Sequence, residues 1–467
     1  MATVLVIDAG TSETKALVIG DDGRIYARTS QKISTRTIGA AGREQDPREI
    51  WRSVEQTATA ALAASGRPVD VVALATQGES VLAFDPSTGA PLTPLITWQD
   101  RRAEPICREL SGHTEELVRV TGLRLSSYFS APKMRWIREN LTREGMVATI
   151  DAWLLLKLTG RVATDSATAS RSLVVDLETG RWDPRLLNVF GLDDEQLPQI
   201  VASDEIVGDT GLFGAPLPVA GVILDQPAAL LAQGCLGPGQ AKVTIGTGAF
   251  HLCNIGATVP AGPLPLTFST AWEVGGVRTL CTDGQVYAAG SAVAWLVEQG
   301  LIPVATELDA HCYARGPGQL VFVPGFDAPG GPRWIGREHG DTQARQVAAV
   351  VYGIAAQIAD LVELSGSDDE VLRVDGGLTR SRALMRAVAD LTQMKMAVYP
   401  EAEATAQGAA ALARLAVELG PTRTLEIPAV DDPTIYLPGW LPQQAHGYRR
   451  LYRDTLERES AQGEAAR

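Results

Sequence analysis

The stretch VLVIDAGTSETKALVI, residues 4–19, carries the pattern that indicates the fold of this chain. Two apolar, β-branched runs flank a turn of glycine, acidic and small hydroxyl residues, and a third run follows at residues 25–26. Short runs and turns in this order predict an antiparallel meander. Asp46 and Pro47 then predict the start of a helix, and the apolar run 70–75 predicts a buried strand. Together these elements indicate an α/β layer built on a mixed sheet.

A second copy of this opening lies near the middle of the chain. The stretch QAKVTIGTGAFHLCNI, residues 240–255, again places a Gly/Thr turn between two strand-like runs. Before it, the run 218–224 predicts a strand that leads into a helix at Asp225, and we expect a domain boundary at 234–239. The repeat predicts that the two halves of the chain are duplicated. A long helix, a strand and a second helix are expected later, at 342–363, 372–374 and 381–391.

Length and composition limit the class of protein. The 467 residues favour two domains, and 45% hydrophobic with 21% charged residues are typical of a globular protein with a sizeable core. The 55 acidic and 41 basic residues give a formal net charge of −14, which argues against nucleic acid or anionic lipid as the main partner. No apolar stretch approaches the roughly 20 residues that span a bilayer, and the N-terminus lacks the basic region of a secretory signal. We therefore expect a cytoplasmic protein without a membrane partner.

The first turn combines side chains that suit a phosphate group. Gly10 lets the backbone approach a ligand, the hydroxyls of residues 11–12 can bind phosphate oxygens, Lys15 can neutralise charge, and Asp8 can hold Mg²⁺ through water. Taken alone, this turn and the one at 246–248 are equally consistent with ordinary β-turns. The chain contains neither GxxxxGK[ST] nor GxGxxG, which removes the main support for P-loop and Rossmann folds. Two such turns at duplicated positions, with a third at 375–377, instead predict a nucleotide triphosphate held between two domains.

Several stretches in the same order form a pattern far more specific than any single motif: Gly42–Pro47, Trp98–Arg102, Thr121–Leu123, Tyr128–Ser130, Ile150–Leu154, Thr164–Asp165, Ala169–Arg171 and Asp225–Gln226. On these stretches, from about residue 3 to about residue 420, the chain resembles the FGGY family of carbohydrate kinases, and its glycerol kinases most closely. The resemblance implies an α/β fold of two duplicated ribonuclease H-like domains, as in the actin/hexokinase/Hsp70 ATPase superfamily, with an interdomain cleft. It further implies an N-terminal domain at 1–234 with the substrate site, the first phosphate turn and the base, a C-terminal domain at 235–430 that binds the adenine nucleotide, and a tail with a helix at 431–467.

The resemblance also assigns roles to individual residues. Asp225 corresponds to the general base that takes the proton from the attacking hydroxyl, and a carboxylate at a helix start is expected to stay ionised. Without the surrounding matches, Asp225 would be interpreted as a helix N-cap. Asp8 corresponds to the acid near Mg²⁺. The substrate site is expected to contain Gly78, Glu79, Trp98, Tyr128, Asp225, Gln226 and Phe250. The nucleotide site is expected to contain Thr11, Ser12, Glu13, Lys15, Gly246, Thr247, Gly290, Gly377 and Ser381.

Three positions depart from the family pattern. Gly78 stands where glycerol kinases have an arginine that binds the polyol, so we expect a larger pocket. Ala294 replaces a glutamine and Ser381 an asparagine at the nucleotide site. The segment 335–340 is short and leads almost directly to the long helix, where the family has a further strand.

The expected activity is ATP-dependent phosphorylation of a hydroxyl on a small polyol or sugar, with ATP and Mg²⁺ as cofactors. Glycerol is the best single candidate substrate. A tetritol, a pentitol or a ketose such as xylulose stays open, and so does a sugar- or nucleotide-binding regulator that has lost catalysis. A homodimer is one option for the oligomeric state, which the sequence does not determine.

Overall fold

Strands and helices alternate along the part of the chain that the computed structural model describes, which is residues 2–313, 316–326, 331–399, 403–418, 425, 427 and 433–465. The strands are β1 (Val4–Ala9), β2 (Glu13–Ile19), β3 (Ile25–Lys32), β4 (Arg36–Ile38), β5 (Gly42–Gln45), β6 (Val71–Thr76), β7 (Val81–Phe84), β8 (Leu95–Ile96), β9 (Met146–Thr149), β10 (Ala163–Asp165), β11 (Val175–Asp176), β12 (Arg181–Trp182), β13 (Gln199–Val201), β14 (Gly208–Thr210), β15 (Leu217–Leu224), β16 (Ala241–Ile245), β17 (Ala249–Gly256), β18 (Thr267–Val274), β19 (Val277–Val286), β20 (Val321–Val323), β21 (Arg333–Ile335), β22 (Val371–Asp375), β23 (Lys395–Val398) and β24 (Thr434–Tyr436). The helices are α1 (Pro47–Ser65), α2 (Glu104–Glu109), α3 (Thr114–Thr121), α4 (Ser130–Asn140), α5 (Ile150–Thr159), α6 (Ser166–Ser170), α7 (Pro184–Val189), α8 (Asp225–Ala232), α9 (Ala289–Glu298), α10 (Leu308–His311), α11 (Gln343–Ser365), α12 (Arg382–Thr392), α13 (Ala404–Val417) and α14 (Pro442–Ala465).

The predicted meander is confirmed. Strands β1, β2 and β3 pair antiparallel in sequence order, and β1 pairs parallel with β6, so the sheet is mixed. Its full strand order is β14-β15-β6-β1-β2-β3. Every residue of β1 and β6 is buried, which explains their continuous apolar runs. Helix α1 begins where predicted, since the Asp46 carboxylate accepts a hydrogen bond from the backbone N–H of Arg48 and Pro47 occupies the first helical position.

The second copy repeats the arrangement of the first. Strand β16 pairs antiparallel with β17 across the turn at 246–248 and parallel with β22, as β1 does with β2 and β6. Strands β23 and β24 extend this sheet beyond β22. The duplication is therefore visible as repeated strand topology.

The chain forms two compact units that are not continuous in sequence. The first unit contains Met1–Leu236, Asn254–Thr282 and Glu403–Ala429, and the second contains Gly237–Cys253, Asp283–Ala402 and Val430–Arg467. The sequence prediction instead divides the chain linearly at 234 and 430, and its assignment of functions to those domains stays a prediction. The difference arises because a late segment, α13, packs on α8, β15, β6 and β1 of the first unit.

The longest apolar helix is a core element of the second unit. Helix α11 is long and apolar enough to cross a membrane by length and composition alone, but 72% of its most apolar window is buried inside the protein. Val347, Val350 and Ile354 are among its residues in the apolar core, beside Val243 of β16 and Val374 of β22. Burial of this kind is typical of a core helix. Strand β21 pairs antiparallel with β20 and ends at Ile335, so residues 336–340 of the short segment contain no strand.

Candidate active site

Side chains from three other segments hold the first turn. The backbone N–H of Gly10 donates to the carbonyl of Glu13, which closes the turn, and Ser12 is exposed at its tip. The hydroxyl of Thr11 donates to Gln77 Oε1 at 3.2 Å and accepts from Trp98 Nε1 at 2.9 Å. The carbonyl of Thr11 accepts from Gln45 Nε2 at 2.6 Å, and Gln77 Nε2 in turn donates to Gln45 Oε1. The predicted phosphate turn and the predicted substrate aromatic Trp98 are thus in direct contact.

Asp8 and Lys15 face each other across β1 and β2. They are register partners, and Lys15 Nζ lies 3.8 Å from Asp8 Oδ2. Burial raises the pKa of Asp8 to about 6, although the Lys15 charge opposes that rise. Burial alone would lower the pKa of Lys15, but the charges of Asp8 and Glu403 outweigh it and raise this pKa above its usual value. Lys15 therefore stays a cation at neutral pH.

Glu79, one of the predicted polyol-binding residues, is buried. Its φ of 55° is in the left-handed region, which is uncommon for a residue with a side chain. Its carboxylate accepts a hydrogen bond from Nε of Arg171, whose side chain is also buried. The Arg171 guanidinium lies 5.7 Å from the centroid of the Tyr128 ring, and that ring packs edge to face against Trp98 at 5.8 Å. The structure therefore joins Glu79, Tyr128 and Trp98 through Arg171.

A buried lysine fixes the loop that carries Tyr128. Lys133 is fully buried, and its ammonium donates to the backbone carbonyls of Ser127, Tyr128 and Phe129, at 2.9 Å for the first and 2.6 Å for the last. Burial lowers the pKa of Lys133 to about 7, while the charge of Glu79 opposes that fall. Three bonds to consecutive carbonyls restrict the backbone on which the Tyr128 ring stands.

Residues in the stretches that resemble the family form the hydrogen bonds that position Arg171. The Asp165 carboxylate caps α6 by accepting from the N–H groups of Ala167 and Thr168, and Arg171 follows this helix directly. Asp151 in turn accepts from the hydroxyl of Thr164 and from the backbone N–H of Asp165. A chain of buried polar contacts thus sets the position from which the guanidinium reaches Glu79.

Leu224 fills the space beside Gly78. A Cβ atom on Gly78 would lie 2.7 Å from Leu224 Cδ1, so the leucine occupies the start of the path that a longer side chain would take. Gly78 is itself buried. The absence of a side chain at this position therefore does not leave an open space there, and the expected enlargement of the pocket stays a prediction.

Asp225 begins α8 directly after β15. Leu224 is the N-cap residue and Asp225 is the first helical residue, so the interpretation as an N-cap is wrong. Its Oδ1 accepts from the backbone N–H of Gln226 at 2.6 Å, and its carbonyl accepts from the hydroxyl of Thr405 at 3.3 Å. The macrodipole of α8 favours the ionised carboxylate at this place.

In the second unit, four of the predicted nucleotide residues lie in or beside one turn. The backbone N–H of Gly246 donates to the carbonyl of Gly248, and the N–H of Gly290 donates to the carbonyl of Thr247 at 2.7 Å. Gly376 has a φ of 100° and packs on Ile245 so closely that a Cβ atom would meet its backbone at 2.5 Å. This contact brings Gly377, the next residue, beside the end of β16.

Ser381 and Phe250 have other surroundings in the second unit. Ser381 caps α12, and its hydroxyl also donates to Asp309 Oδ1 at 2.5 Å. The same carboxylate of Asp309 accepts from the N–H groups of Arg382 and Ala383. Phe250 lies on β17 opposite Thr244. The roles of Ser381 in the nucleotide site and of Phe250 in the substrate site stay predictions.

Five residues at the first unit's site were not predicted as site residues: Gln45, Gln77, Lys133, Arg171 and Glu403. Gln45 and Arg171 lie in stretches that carry the family resemblance, so that signal was present in the sequence. Glu403 and Lys133 carried no such signal, because their partners become visible only in the folded chain.

Among the described residues, no group of three His, Cys, Asp or Glu side chains is arranged to hold a metal ion. A single buried carboxylate at Asp8 nevertheless fits Mg²⁺, which is usually bound by one or two carboxylates together with water and substrate phosphates.

Two α/β units of repeated topology, with glycine-rich turns after their first strands and an aspartate at a helix start, define a two-domain kinase fold of the actin/hexokinase/Hsp70 ATPase type. Residues 3–232 match the N-terminal domain of the FGGY family of carbohydrate kinases, and residues 241–417 match its C-terminal domain. The chain belongs to this family, and it is an ATP-dependent phosphotransferase.

Relatives and solved structures agree with this assignment. The chain is 37% identical over 440 residues to a glycerol kinase of Thermus brockianus, covering 88% of this chain and 89% of that one. It is 34% identical over 446 residues to a glycerol kinase of Acinetobacter baylyi, covering 89% and 90%. The crystal structure of Plasmodium falciparum glycerol kinase with ADP matches with a TM-score of 0.90 at 25% identity, over 98% of both chains. A xylulose kinase from Lactobacillus acidophilus shares the fold, with a TM-score of 0.87 at 19% identity over 99% and 98%.

Proposed function

We propose that this chain transfers the γ-phosphoryl group of ATP to a hydroxyl of a small polyol, with glycerol as the first candidate. The observation that carries the proposal is the buried Glu79 carboxylate, held by Arg171 beside the rings of Tyr128 and Trp98. A fixed carboxylate accepts hydrogen bonds from adjacent hydroxyls, and aromatic rings cover the carbon chain between them. The glycerol kinases at 34–37% identity support the same substrate class.

Asp225 is the proposed general base. In the reaction, the substrate hydroxyl oxygen forms a bond to the γ-phosphorus while the bond from that phosphorus to the β,γ-bridging oxygen breaks, and ADP leaves. The hydroxyl proton passes to the Asp225 carboxylate. Phosphoryl transfer depends mainly on positioning of the reactants and on charge stabilisation. The protein therefore needs to supply only one base and turns with several hydrogen-bond donors for the phosphates.

The phosphate groups are assigned to the glycine-rich turns. Thr11, Ser12 and Lys15 would bind phosphate oxygens from the first unit, and the turn at 246–248 would do so from the second. Asp8 would hold Mg²⁺ through water, and the bound ion would neutralise charge on the phosphates. The adenosine part is assigned to Gly290, Gly377 and Ser381.

Glycerol is preferred over larger polyols and ketoses because the glycerol kinases match at 34% and 37% identity over most of the chain, whereas the xylulose kinase matches at 19%. The proposal also places the enzyme in the cytoplasm, with a small-molecule substrate and no nucleic-acid or membrane partner, and it leaves a homodimer open.

The test is ADP release, measured with glycerol, erythritol, xylitol, ribitol and D-xylulose as acceptors. We expect turnover with glycerol and a lower kcat/KM for each longer compound. D225N should lower kcat by at least about a thousandfold because the base is lost, while ADP binding measured by calorimetry is retained. The matched control is D209N, which makes the same exchange at an exposed residue of β14 and should leave kcat unchanged.

Two results would contradict the proposal. If ADP binds but none of the acceptors is phosphorylated, the chain is a binding protein on a kinase fold. If D225N turns over near the wild-type rate, Asp225 is not the base.

A further inference from the structure

We infer that Glu403 is a positioning residue, whose carboxylate holds the Lys15 ammonium where a nucleotide phosphate can reach it. This inference rests on the proposed function, since it takes the phosphate turn of the first unit as a nucleotide site. Glu403 lies 388 positions after Lys15 in the chain. It immediately precedes α13, and it belongs to the first unit.

The Glu403 carboxylate is buried between two cations. Its side chain is only 7% exposed. Oε2 accepts from Lys15 Nζ at 3.2 Å, and Oε1 accepts from Arg28 Nε at 2.6 Å. Each carboxylate oxygen therefore has its own cationic donor, on β2 and on β3 respectively.

Lys15 needs such a partner because its stem is flexible and several acids compete for it. The ammonium lies 3.8 Å from both Asp8 and Glu13, but 3.2 Å from Glu403. A lysine side chain has four rotatable carbon segments and binds as a point charge, so its location depends on its partners. Without Glu403, the ammonium would be free to move onto Asp8, the carboxylate assigned to Mg²⁺.

The backbone that carries Glu403 is rigidly attached to the helix of the base. Thr405 donates its hydroxyl hydrogen to the carbonyl of Asp225. Three residues later, Gly408 packs on the backbone of Ala228, so closely that a Cβ atom would overlap the Ala228 carbonyl. Helices α13 and α8 are therefore fixed to each other, and Glu403 extends from that pair to the first turn.

Glu403 does not act as a helix cap. It occupies the N-cap position of α13, but its side chain makes no hydrogen bond to the N–H groups of that helix. A purely structural role in starting α13 would use those N–H groups. The described hydrogen bonds of its side chain go instead to Lys15 and Arg28.

The test is calorimetric titration of ADP, with and without Mg²⁺, into wild-type protein, E403Q, E403A, K15M and K15M/E403Q. The matched control is E418Q, the same change at an exposed residue after the other end of α13. We expect E403A to weaken ADP binding by about tenfold or more, as for the loss of one charged hydrogen bond, and E403Q by less. The polyol KM should stay unchanged. In the K15M background, E403Q should cause no further loss, because Glu403 acts through Lys15.

The remaining outcomes separate failure of this inference from failure of the proposed function. Losses that add in the double variant, or ADP affinity within twofold of wild type for folded E403A, overturn the inference. If E403A does not fold, E403Q and the double variant carry the test. Wild-type protein that binds ADP but phosphorylates no polyol overturns the proposed function alone. Wild-type protein that binds no ADP overturns both.

Discussion

At the scale of single residues, Arg171 supplies the cation that neutralises the Glu79 carboxylate. Gly78 offers no cation to Glu79, and Glu79 is buried with its backbone in the left-handed region. A buried carboxylate without a cationic partner is strongly destabilising. Arg171, arriving from the end of α6, provides the partner and also covers the Tyr128 ring.

R171M should therefore weaken polyol binding without changing ADP binding. Methionine keeps the length of the side chain but removes the charged hydrogen bond that Arg171 donates to Glu79, so we expect the polyol KM to rise by about a hundredfold, equivalent to roughly 3 kcal/mol, with ADP affinity unchanged. R171K keeps the charge but loses the planar fork, and it should restore the KM in part. R108M, at an exposed position of α2, serves as the control for steady-state kinetics and ADP calorimetry. Equal losses of polyol and ADP binding would indicate general unfolding instead.

Asp165 should make the stability of the first unit sensitive to pH. Burial and the charge of Asp151 raise the pKa of Asp165 to about 8, from an ordinary value of 3.8. The folded chain thus holds a proton that the unfolded chain loses near pH 4, so this contribution to stability is complete below that pH and is lost as pH rises toward 8. D165N keeps the cap and removes the charge.

The measurement is the apparent Tm at pH 5 and at pH 8. Wild-type protein should lose a few degrees more than D165N between the two values, because the folded state holds one more proton than the unfolded state across most of this pH range. D183N makes the same exchange at the cap of α7. There, hydrogen bonds from Arg185 and from the helix N–H groups outweigh burial and lower the pKa of Asp183. The change in apparent Tm between pH 5 and pH 8 should therefore be the same for D183N as for wild type. If D165N also shows the wild-type change, the expectation is refuted.

At the scale of elements, α13 links Asp225, the proposed base, to the predicted phosphate turn of the first unit. It packs on α8 through Gly408, which lies against the Ala228 backbone with no room for a side chain. Any Cβ there must push the helices apart, and α8 carries Asp225. The close approach of these two helices thus sets the position of Asp225, the proposed base.

G408A should consequently lower both stability and kcat. We expect the apparent Tm to fall by several degrees and kcat to fall about tenfold, because α8 must shift by a fraction of an ångström. G447A provides a matched control, since Gly447 lies within α14 and a Cβ atom there would meet nothing within 4 Å. Alanine at 447 should leave kcat unchanged and stabilise the helix slightly. If G408A retains wild-type kcat and Tm, the packing of α13 does not control the base.

Elements defined by local pattern were predictable from the sequence. The meander, the start of α1 and the strand-to-helix step at Asp225 each depend on residues close together in the chain, where periodicity and capping act. The contacts that complete the site span far greater separations, 92 positions for Arg171 and Glu79 and 388 for Lys15 and Glu403. Such pairs leave no periodic signal. The family resemblance pointed to Arg171 through its neighbours, but nothing local pointed to Glu403.

At the scale of the whole molecule, the negative net charge of the protein repels the proposed nucleotide substrate. The formal net charge is −14, and the proposed nucleotide is itself an anion. The described cations at the first turn include Lys15 and Arg28, and both are bonded to Glu403. Long-range attraction therefore cannot recruit the nucleotide, and capture must depend on hydrogen-bond donors and charges within a few ångströms.

The rate of ADP association should accordingly not fall as salt is added. Screening at 0.1 M, where the Debye length is about 10 Å, weakens the repulsion from the distant acidic surface more than the contact at Lys15. We expect the association rate constant, measured by stopped flow with a fluorescent ADP analogue, to stay level or rise up to about threefold between 10 and 150 mM KCl. An uncharged polyol should show no change and serves as the internal control. A steep decrease for the ADP analogue would mean that an attractive field, which the net charge does not provide, guides the nucleotide to the protein.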